Sequence, residues 1–241
     1  RTTLRLSTAR ADDAGVLRLK LAAALEGRPE TFDLDGALTL AATPRFEGQA
    51  VFARPDVTSE SKADKGTPDP APWRVAAKVA GTPASLGFES VDAAYGRDER
   101  ALRLAGQGAL SIGAAPRFDL KLGARQLDFD RFVGGSGQKT PLGVLEAIAT
   151  QFEGAARPPL PGRVTVDLGG VVLAGDVARN LSAELVAGDD SWRVTRASVA
   201  LPGDARLSAS GALAFVDRAP GFAGRIDVAA GDLAAVRRWL E

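Results

Sequence analysis

The sequence predicts a mainly β fold, an antiparallel sheet of repeated hairpins that carries one or two short helices. Three observations predict it. The first is a phrase written three times. Gly36-Ala37-Leu38 leads to Pro44, Phe46 and Gly48. Gly108-Ala109-Leu110 leads at the same spacing to Pro116 and Phe118, and Gly211-Ala212-Leu213 leads, one residue looser, to Pro220, Phe222 and Gly224. The second is alternation: in Phe118 to Arg125 the apolar residues fall on one parity and the charges on the other. Such alternation marks a sheet with one apolar and one wet face, usually antiparallel. The third is a set of short turn signals between the runs: Thr43-Pro44-Arg45, Ala114-Ala115-Pro116, Gly188 to Ser191, Leu201 to Asp204 and Ala219-Pro220-Gly221. A repeated strand-turn-strand unit builds by stacking, so function belongs to a shared surface more than to one pocket.

In chain order, the phrases fall near residues 30–56, 102–132 and 206–241 of a single elongated repeat domain spanning 1–241. Residues 54–72 are rich in Pro, Asp, Ser, Thr and Lys and read as a mobile loop. Strand alternation follows in Trp73 to Val79, Leu102 to Ile112 and Phe118 to Arg125. The second phrase exits through Asp128, Phe129, Asp130, Arg131 and Phe132. Thr140-Pro141 then opens a helical insertion over 140–153, with Thr as cap and Pro at the first helical position, and Gly154 and Pro158-Pro159 end it. Alternation resumes in Arg163 to Leu168, Leu181 to Leu185, Leu207 to Phe215 and Phe222 to Val228. Asp232 can cap a last helix from Leu233 to Leu240, with Trp239 on its apolar side. Trp73-Arg74-Val75 and Trp192-Arg193-Val194 stand upstream of the second and third phrases, so the larger unit begins with Trp-Arg-Val.

At 241 residues the chain suffices for one large β domain or two smaller ones. With 45% hydrophobic but only 6% aromatic residues, its core is built from Ala, Val and Leu. Thirty basic residues balance thirty acidic ones, and the arginines are scattered singly, which argues against the clustered field of a nucleic-acid groove. The absence of Cys removes disulfides, thiolate catalysis and Cys-based metal sites. The absence of His removes the usual general base and the commonest metal ligand. There is no Met even at position 1, so the chain reads as a processed product or a segment of something longer. No apolar run approaches the roughly 18–20 residues that span a bilayer, and no signal peptide is visible.

Each catalytic candidate has a plainer reading. Val133 to Thr140 has the flavour of a phosphate-binding loop, but Gln138 separates Gly137 from Lys139, so it reads as a Gly-rich connector. The pairs Asp128/Asp130 and Asp189/Asp190 sit at a strand exit and at a hairpin tip, where turn and cap roles suffice. No Asp-x-Asp-x-Asp-Gly loop offers a Ca²⁺ site. Trp73 and Trp192 recur with the repeat, which favours a packing role. No catalytic residue, metal ligand or cofactor is assigned, and the expectation is a protein that is not an enzyme.

A sheet with one apolar face must cover it by closing into a barrel, packing a second sheet, or curling into a trough. Seven-residue strands make a face roughly 23 Å wide, matched in scale to acyl chains. Pattern alone leaves groove and filled core open. The wording Val164-Thr165-Val166-Asp167-Leu168, Asn180 to Leu185, Trp192, Leu201-Pro202-Gly203 and Ser210 to Leu213 resembles the AsmA-like family of bacterial envelope proteins. The endings Phe118 to Phe132 and Phe222 to Leu233, with Trp239-Leu240, look like the same family's repeat ending. The likeness covers roughly residues 30–50 and 73–241. It implies an elongated, taco-like β groove of the bridge-like lipid-transfer type, facing the periplasm and held at the inner membrane by a segment outside this one. It also implies phospholipid, or another acyl-chain lipid, as partner and a role in outer-membrane integrity. The groove-lining candidates on the apolar parity are Phe118, Leu120, Leu122, Val164, Val166, Leu168, Leu207, Leu213, Phe222, Ile226 and Val228. The alternative is a non-enzymatic β scaffold that assists outer-membrane protein assembly or envelope integrity.

Overall fold

A computed structural model describes residues 2–9, 15–26, 29–56, 71–134, 140–151, 160–188, 191–216 and 219–241. It is mainly β: fourteen strands in one mostly antiparallel sheet not closed into a barrel, with three short helices. The chain divides into two compact units, Arg1–Ala115 and Pro116–Glu241.

The first unit is a meander of seven strands, each hydrogen-bonded to the next: β1 (Thr2–Thr8), β2 (Val16–Leu25), β3 (Thr31–Thr39), β4 (Arg45–Arg54), β5 (Trp73–Thr82), β6 (Ser85–Tyr95) and β7 (Leu102–Ser111). The first phrase is the β3–β4 hairpin. Register pairs Gly36 with Gly48, and a Cβ on Gly36 would lie 2.4 Å from the Glu47 carbonyl oxygen and 2.7 Å from the Gly48 Cα. The two backbones therefore approach more closely than any side chain allows. The Phe46 ring lies over the gap, its Cζ 2.7 Å from where a Cβ on either glycine would stand. An aromatic thus fills the space that a glycine pair leaves on a pleated face.

The second unit holds β8 (Arg117–Ala124), β9 (Leu127–Asp128), β10 (Gly162–Leu173), β11 (Asp176–Ala187), β12 (Trp192–Leu201), β13 (Ala205–Val216) and β14 (Ala219–Ala230). β10 to β14 are antiparallel, but β8 and β9 run parallel to β10. The parallel pairing needs a crossover, which the helical insertion supplies. The third phrase repeats the first: Gly211 pairs with Gly224, with the Phe222 Cζ 3.0 and 2.8 Å from their Cβ positions. The second phrase differs in having no second glycine, and its Phe118 ring lies instead over Gly162 of β10.

The helices sit at the strand exits. Asp128 caps α1 (Phe129–Phe132), its carboxylate accepting from the Arg131 N–H at 2.8 Å. Thr140 caps α2 (Pro141–Gln151), its hydroxyl accepting from the Gly143 N–H at 3.2 Å. Asp232 caps α3 (Leu233–Leu240), accepting from the Ala234 and Ala235 N–H groups at 2.9 and 3.0 Å. Each carboxylate or hydroxyl satisfies donors that a helix start leaves unpaired. The expected cap and turn roles of Asp128 and Asp130 hold: Asp130 accepts from the Ala174 and Gly175 N–H groups, both at 2.7 Å. Those two residues form the β10–β11 turn, with φ of 52° and 83°. α3 turns back towards β10, where the Trp239 indole donates to the Leu173 carbonyl at 3.4 Å.

Two sequence expectations are corrected. Ala219-Pro220-Gly221 is not a turn: β14 starts at Ala219, and Pro220 pairs with Phe215. β14 is an edge strand, where the missing proline N–H need not break a ladder. Among the described residues three helices form where one or two were expected, because the exit at Phe129–Phe132 closes a turn of helix of its own. The loop expected over 54–72 lies for the most part outside the described residues, as do the core of the Gly-rich connector and the Asp189/Asp190 pair.

Candidate functional site

Register, read strand by strand, collects the apolar side chains of each unit on one face. In the second unit, successive partners are Phe118, Gly162, Ala187, Trp192, Leu213 and Phe222. The next row is Leu120, Val164, Leu185, Val194, Gly211 and Gly224, and the third is Leu122, Val166, Ala183, Ala197, Ala209 and Ile226. Farther along, Leu168 pairs with Leu181, and Val199, Leu207 and Val228 line up across β12, β13 and β14. Direct cross-strand partners share a face, so the structure brings all eleven residues expected from the sequence onto one surface. Five strand intervals of about 4.8 Å make that face roughly 24 Å across, measured along the sheet.

Exposure varies across the face. Leu168 is buried, and so is the neighbouring row of Leu127, Val171 and Ala178 that closes the hairpin end. The edge strand is open: Ile226 is 56% and Val228 58% accessible. Phe118 and Trp192 stand near each other, ring centres 6.4 Å apart. The two Trp-Arg-Val starts thus place a tryptophan on the apolar face at the first residue of β5 and of β12.

The sequence expectation names no lining residue in the first unit, yet the same arrangement is there. Leu6, Leu21, Leu34, Ala50, Ala77 and Val91 are successive partners from β1 to β6, and Leu4, Ala23, Phe32, Phe52, Val75, Ala93 and Leu104 form the adjacent row through β7. No α-helix lies in this unit among the described residues. Val79 and Val91 are buried, whereas Leu6 is 60% and Phe52 47% accessible. One rim carries polar groups: Arg54, Trp73, Tyr95 and Leu102 are successive partners. The Arg54 guanidinium pairs with Glu30, Nε to Oε1 at 3.1 Å. Trp73 packs edge-on to Phe52, ring centres 4.6 Å apart. Burial pushes the Tyr95 phenol up from its ordinary value, and the Arg54 charge partly opposes it.

The opposite faces carry the charges, many as exposed pairs: Lys20–Asp35 at 2.8 Å, Lys78–Glu89 at 2.6 Å, Arg163–Glu184 at 3.4 Å and Arg225–Asp227 at 2.8 Å. A hydrogen bond from Lys78 to Glu89 holds the ammonium above its ordinary pKa, and one from Arg225 holds the Asp227 carboxyl below its own. Solvent screens exposed pairs of this kind, so their main effect is to keep these faces in water. Among the described residues no group of three or more acidic side chains is placed to hold a metal ion. What the surface offers chemically is dispersion and water exclusion over a broad apolar area.

No protein-family model, curated protein or solved structure matches the chain.

Proposed function

We propose that this chain is a segment of a bacterial envelope protein that shields lipid acyl chains against its apolar sheet faces. In this reading it supports phospholipid transport between the inner and outer membranes, from the periplasm, with anchorage by a segment outside this one. The observation that carries the reading is the partition of each unit's sheet. One face is apolar row after row and the other is charged, while large apolar side chains such as Phe52, Ile226 and Val228 remain accessible. A filled core would bury them. Each methylene shielded from water is stabilised by about 0.8 kcal/mol, so ten methylenes against such a face gain roughly 8 kcal/mol before ordering costs. No bond is made or broken. The resemblance of the repeat wording to the AsmA-like family supports the envelope setting.

The test is lipid capture. The protein is purified gently from a bacterial host, and co-purifying lipid is extracted and identified by mass spectrometry. A diazirine-bearing phospholipid should label the second unit, and Leu122→Asp should cut labelling by tenfold or more while far-UV circular dichroism is unchanged. Absence of lipid and of labelling in the folded parent protein rejects the reading. Lost labelling with intact envelope function in cells favours the scaffold instead.

A further inference from the structure

Among the described residues β14 is a sheet edge without the usual defences. It runs for twelve residues in unbroken register with β13, whereas β6 and β12 carry register shifts. It contains no lysine, and its proline is confined to the second residue. Every side chain from Phe222 to Ala229 is exposed. α3, which follows, folds back to β10. Natural edge strands are commonly blunted by bulges, proline or inward-pointing charge, because free N–H and C=O groups otherwise template another strand. β14 lacks these along its central length, and its sequence is self-complementary.

We propose that β14 pairs antiparallel with β14 of a second copy of this chain, about a two-fold axis at Ile226. In that register Arg225 faces Asp227 of the partner, and Asp227 faces the partner's Arg225. On the apolar face Phe222 meets Ala230, Gly224 meets Val228, and Ile226 meets itself. Large side chains oppose small ones on both sides of the axis, and the charges form a closed ring of four. The intrachain contacts from the Arg225 guanidinium to the Asp227 carboxylate, 2.8–3.0 Å, place both groups on the same face, ready for this arrangement. A two-fold axis normal to the sheet keeps both apolar faces on one side. The pairing adds about eight or ten main-chain hydrogen bonds, according to which set of β14 amides points outwards. β1 is a poorer partner for itself, because the one register that uses all seven residues sets Arg5 against Arg5.

Sedimentation of the full chain over about 1–100 µM should show a monomer–dimer equilibrium. Asp227→Arg sets like charges against each other twice per dimer and should weaken association roughly tenfold. The swap Arg225→Asp with Asp227→Arg restores complementarity and should recover the parent affinity. Because the chain has no cysteine, Ile226→Cys introduces a lone thiol at the axis. Paired Cα atoms roughly 4.5–5.5 Å apart suit a disulfide, so mild oxidation should give a covalent dimer faster than Leu4→Cys on β1. A parent protein that stays monomeric to 100 µM overturns the proposal. So does a charge swap that fails to restore association while circular dichroism shows the fold intact, or Ile226→Cys crosslinking no faster than Leu4→Cys.

Discussion

Gly36→Ala tests whether the repeated phrase works through backbone proximity. The new Cβ would stand 2.4 Å from the Glu47 carbonyl oxygen and 2.7 Å from the Gly48 Cα, and neither can retreat without opening the β3–β4 ladder. It would also meet the Phe46 Cζ at 2.7 Å, but a ring can swing away. Overpacking against atoms that cannot relax costs about 1–3 kcal/mol. Two rigid contacts place this substitution near 2 kcal/mol, equivalent to roughly a 10 °C fall in Tm for a unit of about a hundred residues. Urea denaturation followed by far-UV circular dichroism measures the loss, and hydrogen exchange of peptides from β3 and β4 locates it. Gly113→Ala is the control, since nothing lies within 4 Å of its added methyl; it should change stability by less than about 0.5 kcal/mol. Adding Phe46→Ala to Gly36→Ala removes the ring but leaves both backbone contacts, so stability should not return. A Gly36→Ala protein within about 0.5 kcal/mol of the parent, or one restored by removing the ring, refutes the backbone argument.

Three further outcomes are expected. Asp130→Asn keeps one acceptor but turns an NH₂ towards a backbone donor at the β10–β11 turn, and thermal denaturation should show a loss of about 1–2 kcal/mol. Ala174→Gly relieves a left-handed φ of 52° and should raise stability by about 0.5–1 kcal/mol; a fall would show that the Asp130 clamp needs the alanine. Because Arg225 lowers the Asp227 carboxyl, the pair's contribution is fully present above the ordinary value of 3.8 and is lost as pH falls through the lower folded value. Carboxyl NMR should place the Asp227 midpoint below 3.8 and return it towards that value in Arg225→Ala.

The strands legible in the sequence are those that keep one parity from end to end. Phe118 to Ala124 and Phe222 to Val228 do so, and their register follows the expected face. β6 and β12 do not. In β6 the apolar face passes from Leu86 and Phe88 to Val91, Ala93 and Tyr95, and in β12 from Trp192 and Val194 to Ala197 and Val199. A bulge at each place adds one residue, so the chain reads as irregular while its apolar side chains stay on one face. β2 is a different case, because Leu17, Leu19 and Leu21 alternate with Arg18 and Lys20 in full view. Its alternation marks a strand as plainly as the later runs do, although no repeated phrase reaches it. The caps at Thr140 and Asp232 were legible because a cap needs only a local acceptor and a following turn.

By itself the sequence determined the class of fold, the starts of α2 and α3 and the side of each regular strand that meets water. Those are local consequences of side-chain period and of unpaired amides at a helix start. Only the tertiary structure decided which strand lies beside which. The parallel seating of β8 on β10 depends on where a crossover returns, and the Phe118 ring finds its glycine at position 162 as a result. The meaning of the repeated phrase was settled in the same way. Gly36 and Gly48, twelve residues apart, are glycines because pairing presses their backbones together under Phe46, and a constraint between strands leaves no local trace beyond the residues it permits.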